Sequence, residues 1–228
     1  MSSRELEIAA ALATVESQIA AAAAKAGRDR SEITLIAVTK TYPASDVEIL
    51  RNLGVQNFGE NRNEEGVAKS AQVSGTWHFQ GRVQSRKLRD IAGWASFIHS
   101  LDSAEHVEKL SRIATELGRE ISIFLQLSLD GAPDRGGVIK SELAALADSV
   151  ANLSQIKMVG LMCVPPVEYE HERAFSEIAE IHQGFLGNFP AATFLSAGMS
   201  SDYEVAITHG ATHLRIGSQI LGSRPYHP

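Results

Sequence analysis

Eight short apolar runs recur along the chain, each followed by a helical pattern, and no Pro/Ser-rich or low-complexity linker interrupts the alternation. The runs lie near Ile33–Thr39, Val55–Phe58, Thr76–Gln80, Phe97–Leu101, Ile121–Leu127, Lys157–Val164, Ala192–Ala197 and His213–Ile216. Helical patterns lie between them, near Ala44–Leu53, Asn61–Ala71, Ser85–Ile91, Ala104–Leu117, Ser141–Asn152, Tyr169–Gly187 and Asp202–His209. An alanine-rich stretch at the N-terminus supplies an eighth helix, striped by Leu6, Leu12, Val15 and Ile19 and ended by Gly27. Eight strand-helix units in one linkerless chain suggest an α/β fold: a single (β/α)8 TIM barrel over residues 1–228, with an additional N-terminal helix. The 228 residues fit the span of about 200 to 400 usual for that fold. A doubly wound open sheet is the alternative, and no G-x-G-x-x-G follows the first strand to support it.

Charge and cysteine usage narrow the function classes. A formal net charge of −6 argues against a dedicated nucleic-acid surface. The basic stretch Arg82–Arg89 has no interleaved aromatic residue to stack bases and reads as a solvated helix face. Cys163 is the only cysteine, so internal disulfides and multi-cysteine metal sites are excluded, and its apolar run marks a small buried hydrophobe. Glu5, Glu7 and Glu16 interrupt what would be a signal-peptide core, and no run approaches transmembrane length, so a cytoplasmic chain with no membrane partner is expected. His78 and His99 lack a second ligand at metal spacing, so buried, hydrogen-bonded imidazoles are expected and no metal is.

A barrel collects its chemistry at the C-terminal ends of its strands, and the polar oddities of this sequence fall there. Ser201-x-x-Glu204 has the form of a capping box, which would leave free N–H groups near Ser200 and Ser201. After the last strand, Gly217-Ser218 opens a short helical turn on the neighbouring loop. Together these form a candidate phosphate site, although either loop alone could be only a cap or turn. Lys40 leaves an apolar strand at the same mouth, where partial desolvation would favour a nucleophilic amine suited to an aldehyde or ketone; alone it could equally snorkel to solvent. Strand alternation points Arg215 into the lumen with His213 and Gly217, where a guanidinium needs a ligand or carboxylate.

The segments AVTKTYP, FGENRNEEG, WHFQGRVQSRK, GLMCVPP, SAGMSSDYEVAITHGAT and RIGSQILGSR, in that order, closely resemble the YggS/PROSC family of pyridoxal-phosphate homeostasis proteins. The resemblance spans nearly the whole chain, and the family is similar to the N-terminal barrel of alanine racemase and the fold-type III PLP enzymes. It implies pyridoxal 5'-phosphate (PLP) as cofactor, held as a Schiff base on Lys40. Ser200 with the backbone of Gly217 and Ser218 would hold the phosphate, and Arg215 would approach the pyridine nitrogen. Asn61, His78, Met162 and Ser196 stand in family motifs lining the same mouth. The sequence departs from the usual pattern at Gln80, Arg86 and Ser218, the last of which keeps the hydroxyl.

An arginine beside the pyridine nitrogen weakens the electron sink that carbanion chemistry uses, but racemases of this fold keep one too. A second base is the better discriminator. Only residues 218–228 follow Gly217, so the second domain that gives alanine racemase its tyrosine base is not expected. Of Tyr42, Tyr169, Tyr203 and Tyr226, only Tyr42 lies beside Lys40. The expected function is therefore a monomeric PLP carrier without a catalytic residue, which stores PLP, keeps the free aldehyde low and delivers it to apo PLP-dependent enzymes. The alternatives are a PLP-dependent amino-acid racemase or related fold-type III enzyme, and a cofactor-free Schiff-base aldolase.

Overall fold

The computed structural model describes residues 2–132 and 134–222. Eight parallel strands close into a barrel in sequence order: β1 (Thr34–Val38), β2 (Asn57–Glu60), β3 (Thr76–Phe79), β4 (Phe97–Leu101), β5 (Ile121–Leu127), β6 (Ile156–Cys163), β7 (Phe194–Met199) and β8 (His213–Ile216). The ring is shut by β8 on β1, with Ala37 opposite Ile216. Helices α2 (Ala44–Asn52), α3 (Asn63–Ser70), α4 (Leu88–Trp94), α5 (Ala104–Leu117), α6 (Lys140–Val150), α7 (His171–Asn188) and α8 (Tyr203–Thr208) follow the first seven strands. A four-residue helix, α9 (Ser218–Leu221), follows the last, and α1 (Ser3–Lys25) precedes the barrel.

Two periodicities build the layers. On β8, Leu214 and Ile216 join the apolar layer between sheet and helices, while His213 and Arg215 face the lumen. The lumen is filled by rings: His99 stacks on Phe124 at 4.3 Å, His78 on Phe97 at 4.6 Å, and His213 lies 4.7 Å from Phe194. This aromatic plug closes the barrel below its mouth, so any ligand must sit at the C-terminal end of the strands.

Helix α1 starts on a capping box between Ser2 and Glu5 and buries Ile8, Leu12, Val15 and Ile19, each a contribution of roughly 1.5–3 kcal/mol. By length and composition alone it is apolar enough to cross a membrane, so the expectation that no run approaches transmembrane length is corrected. Alanine raises its mean hydropathy, and its buried stripe lies against α8, α9 and α2. Leu6, read as part of that stripe, is instead 54% exposed.

Local hydrogen bonds explain the shifted boundaries. Val55 N–H donates to Leu50 O and so finishes the helix end, which moves β2 two residues later. Ala192 N–H likewise closes a turn on Phe189 O before β7. The region from Ser85 begins as a 3₁₀ turn and becomes α-helical only at Leu88. The capping box at Ser201 does not form: Asp202 is the N-cap of α8, and its Oδ1 accepts from Met199 N–H at 2.6 Å, which delays the helix to Tyr203.

Candidate functional site

Lys40 lies two residues beyond the end of β1, and the strand's alternation sends Val38 and Lys40 to the mouth. There a cavity of about 360 Å³ is lined by Lys40, Asn61, Met162, Ser200, Arg215, Gly217 and Ser218, together with Val38, Tyr42, Gln80, Val164, Met199 and Ser201. Seven of the nine residues expected at the site thus share one cavity. The other two, His78 and Ser196, are fully buried and lie beneath it.

Two loops form one wall. Ser218 Oγ donates to Ser200 Oγ at 3.3 Å, and Gln219 Nε2 donates to Ser200 O at 2.6 Å, so the β7 and β8 loops are tied together. Gly217 is required where the β8 loop passes the end of β1, because a Cβ there would stand 2.9 Å from Val38 O. Gly81 plays the same part on the opposite side, where a Cβ would fall 1.9 Å from Asn61 O.

Arg215 is the buried cation of the site. Its Nη1 donates to Ser196 Oγ at 2.7 Å and its Nη2 to Cys163 O at 3.0 Å. No carboxylate among the described residues lies within ion-pairing distance of it. Burial pulls its pKa down to about 10, which still leaves it protonated at neutral pH.

The residues below Arg215 complete a directional chain. The guanidinium can only donate, so the Ser196 proton goes to His99 Nδ1 at 2.9 Å. His99 Nε2–H then donates to His78 Nδ1 at 2.9 Å, and His78 Nε2–H to Asn57 Oδ1 at 3.1 Å. This arrangement satisfies every donor only with both imidazoles neutral, and burial holds both well below the usual imidazole range. Ser196 and His78 therefore fix Arg215 from beneath.

Two other expected features have clear positions. Cys163 is fully buried with its thiol pushed up to about 12 by burial, so it packs as a small hydrophobe. Along Arg82–Arg89, Lys87 pairs with Glu64 and Arg89 with Glu116, while Arg82 and Arg86 are exposed. Tyr42 is 6% exposed and its hydroxyl donates to Gly222 O at 2.6 Å; Tyr226 lies outside the described residues. Sequence reasoning missed Asn57, because its part depends on the contact with His78 that only the packing of β2 beside β3 creates. It noted Gln80 only as a departure, although period-two alternation from His78 puts it at the mouth.

The fold and this mouth define a class, the barrel of alanine racemase's N-terminal domain, whose family model matches residues 11–225. A curated relative, the pyridoxal phosphate homeostasis protein of Corynebacterium glutamicum, is 41% identical over 206 residues, covering 87% of this chain and 93% of the relative. The Escherichia coli K12 protein of the same name is 37% identical over 236 residues, covering 96% and 98%. Among solved structures, PipY of Synechococcus elongatus PCC7942 with PLP bound superposes with a TM-score of 0.83 at 34% identity, covering 94% of this chain and all of that one. The chain belongs to the pyridoxal phosphate homeostasis protein family.

Proposed function

We propose that this chain binds PLP in the mouth cavity through Lys40 and serves intracellular PLP homeostasis by storing and delivering the cofactor. One observation carries the reading. Two cationic side chains, Lys40 and Arg215, line a 360 Å³ cavity that no described carboxylate lines, beside a tied pair of serine hydroxyls. Such a cavity favours an anion, and its volume is within the roughly 300–1,000 Å³ usual for small-ligand pockets. Gln80 Nε2 is a buried donor with no partner among the described residues, another sign that the mouth is shaped for a polar ligand.

When bound, PLP supplies an aldehyde that condenses with a primary amine and loses water. The chain's own groups divide the rest. Ser200, Ser218 and the backbone at Gly217 would hold the phosphate, Lys40 would meet the aldehyde, and Asn61 and Met162 would line the ring. Arg215, a permanent donor at neutral pH, would keep a ring nitrogen unprotonated, which suits holding the aldehyde more than carbanion chemistry. Tyr42, the one tyrosine among the described lining residues, gives its proton to Gly222 O, which also favours a carrier over a two-base racemase.

The same reading makes the chain a single-domain, cytoplasmic monomer over residues 1–228, with apo PLP-dependent enzymes as recipients and no nucleic-acid or membrane partner. Titration with PLP tests it. A visible band near stoichiometric loading is expected, with transfer of the cofactor to an apo PLP enzyme and no racemisation of alanine. A protein that stays colourless sinks the proposal, and racemisation lost in Lys40→Ala replaces it with the racemase reading.

A further inference from the structure

Lys40 is bracketed by two threonines that one charged cluster holds from outside the barrel. Lys69 of α3, 5% exposed, directs its ammonium at three acceptors: Thr39 O at 2.7 Å, Glu60 Oε1 at 2.7 Å and Glu65 Oε2 at 2.8 Å. Glu60, fully buried, also accepts from Thr39 Oγ1 at 2.5 Å. Glu65 Oε2 accepts from Thr41 N–H at 2.7 Å. The residue before Lys40 is thus held by its carbonyl and hydroxyl, and the residue after it by its amide.

The cluster carries features that packing alone would not keep. Thr41 is β-branched yet sits at φ +71°, in the left-handed region. Thr41 Oγ1 and Glu60 Oε2 are buried with no hydrogen-bond partner among the described residues. A buried ion cluster is also easily replaced by apolar side chains without loss of stability. These unfavourable features gather at the two residues flanking Lys40, and none of Glu60, Glu65 and Lys69 lines the mouth cavity.

We propose that Lys69, Glu60 and Glu65 are positioning residues, which fix the backbone on both sides of Lys40 and so aim its amine into the mouth cavity. This inference rests on the reading of Lys40 as the PLP-binding lysine, and its test separates the two.

Glu65→Leu and Glu65→Gln remove the same charge, but only glutamine keeps an oxygen that can accept the Thr41 N–H. Two aldehydes serve as probes: PLP trapped by borohydride, and formaldehyde with cyanoborohydride, each followed at Lys40 by peptide mass spectrometry. In Glu65→Leu, PLP trapping should slow at least tenfold, while methylation by formaldehyde at Lys40 speeds up at least threefold and at Lys157 stays constant. Glu65→Gln should resemble wild type in both. Wild-type rates in Glu65→Leu, or equal changes in the two variants, overturn the clamp. Should Glu65→Leu not fold, Lys69→Met with Glu60→Gln removes the Thr39 carbonyl anchor without leaving a buried charge unpaired. PLP trapping at Lys40 should slow in that pair too, and a wild-type rate there overturns the clamp. Should wild type itself take up no PLP on Lys40, the reading of Lys40 as the PLP-binding lysine falls, and the contrast between leucine and glutamine with formaldehyde alone decides the clamp.

Discussion

Acid should loosen this barrel from the inside, and His213 gives the effect a magnitude. Its ring is 5% exposed among Phe124 and Phe194, and burial, with Arg215 nearby, lowers its pKa from 6.5 to about 4. In the unfolded chain it titrates near 6.5, so between these values the unfolded state binds a proton that the folded state does not. Stability is therefore complete above about pH 6.5 and is lost as pH falls toward 4. At pH 5 the two pKa values imply a loss of about 2 kcal/mol relative to pH 8 from this residue alone. His78 and His99 shift in the same direction and steepen the decline. Urea unfolding of wild type and His213→Gln at both pH values measures it. Taking the pH 8 to pH 5 difference within each protein cancels the packing lost on substitution. Wild type should lose about 2 kcal/mol more than the variant, and equal losses would refute an uncharged lumen at His213.

The mouth and the chain beneath it give further expectations. Ser200→Ala with Ser218→Ala removes two hydroxyls from the phosphate wall, and PLP affinity measured by ultrafiltration should fall at least tenfold, since hydrogen bonds to charged groups contribute about 1.5–3 kcal/mol each. Unchanged affinity would move the phosphate elsewhere. Ser196→Ala leaves Arg215 Nη1 and His99 Nδ1 without their partner, so stability by urea unfolding should drop by roughly 1–3 kcal/mol; no change would contradict the directional chain. Cys163 should react with an aromatic disulfide reagent at pH 8 only as fast as the protein unfolds, because its thiol is buried and titrates at about 12.

The barrel was legible because its two periodicities are strong: apolar runs of strand length and helical stripes alternate eight times without a linker. Phe97–Leu101, Ile121–Leu127 and His213–Ile216 begin and end as their patterns predict. Misplaced boundaries arose where a helix-terminal hydrogen bond claimed the first apolar residue, as at Val55 and Ala192, or where a carboxylate rearranged a turn, as at Asp202. Lys40, Ser200, Arg215 and Ser218 were readable from strand ends and helix starts. The chain from Arg215 to Asn57 was not, since it joins side chains from five strands whose contacts depend on barrel closure. The cluster around Lys69 was hidden for the same reason: its charges look like an ordinary helix face until α3 is packed against β1 and β2.

The role of Lys40 is tested most directly by peptide mapping of the protein after loading with PLP and reduction with borohydride. One phosphopyridoxyl adduct is expected, on Lys40, abolished in Lys40→Ala together with the visible absorption band. An adduct on any other lysine, or a band that survives in Lys40→Ala, would contradict that role.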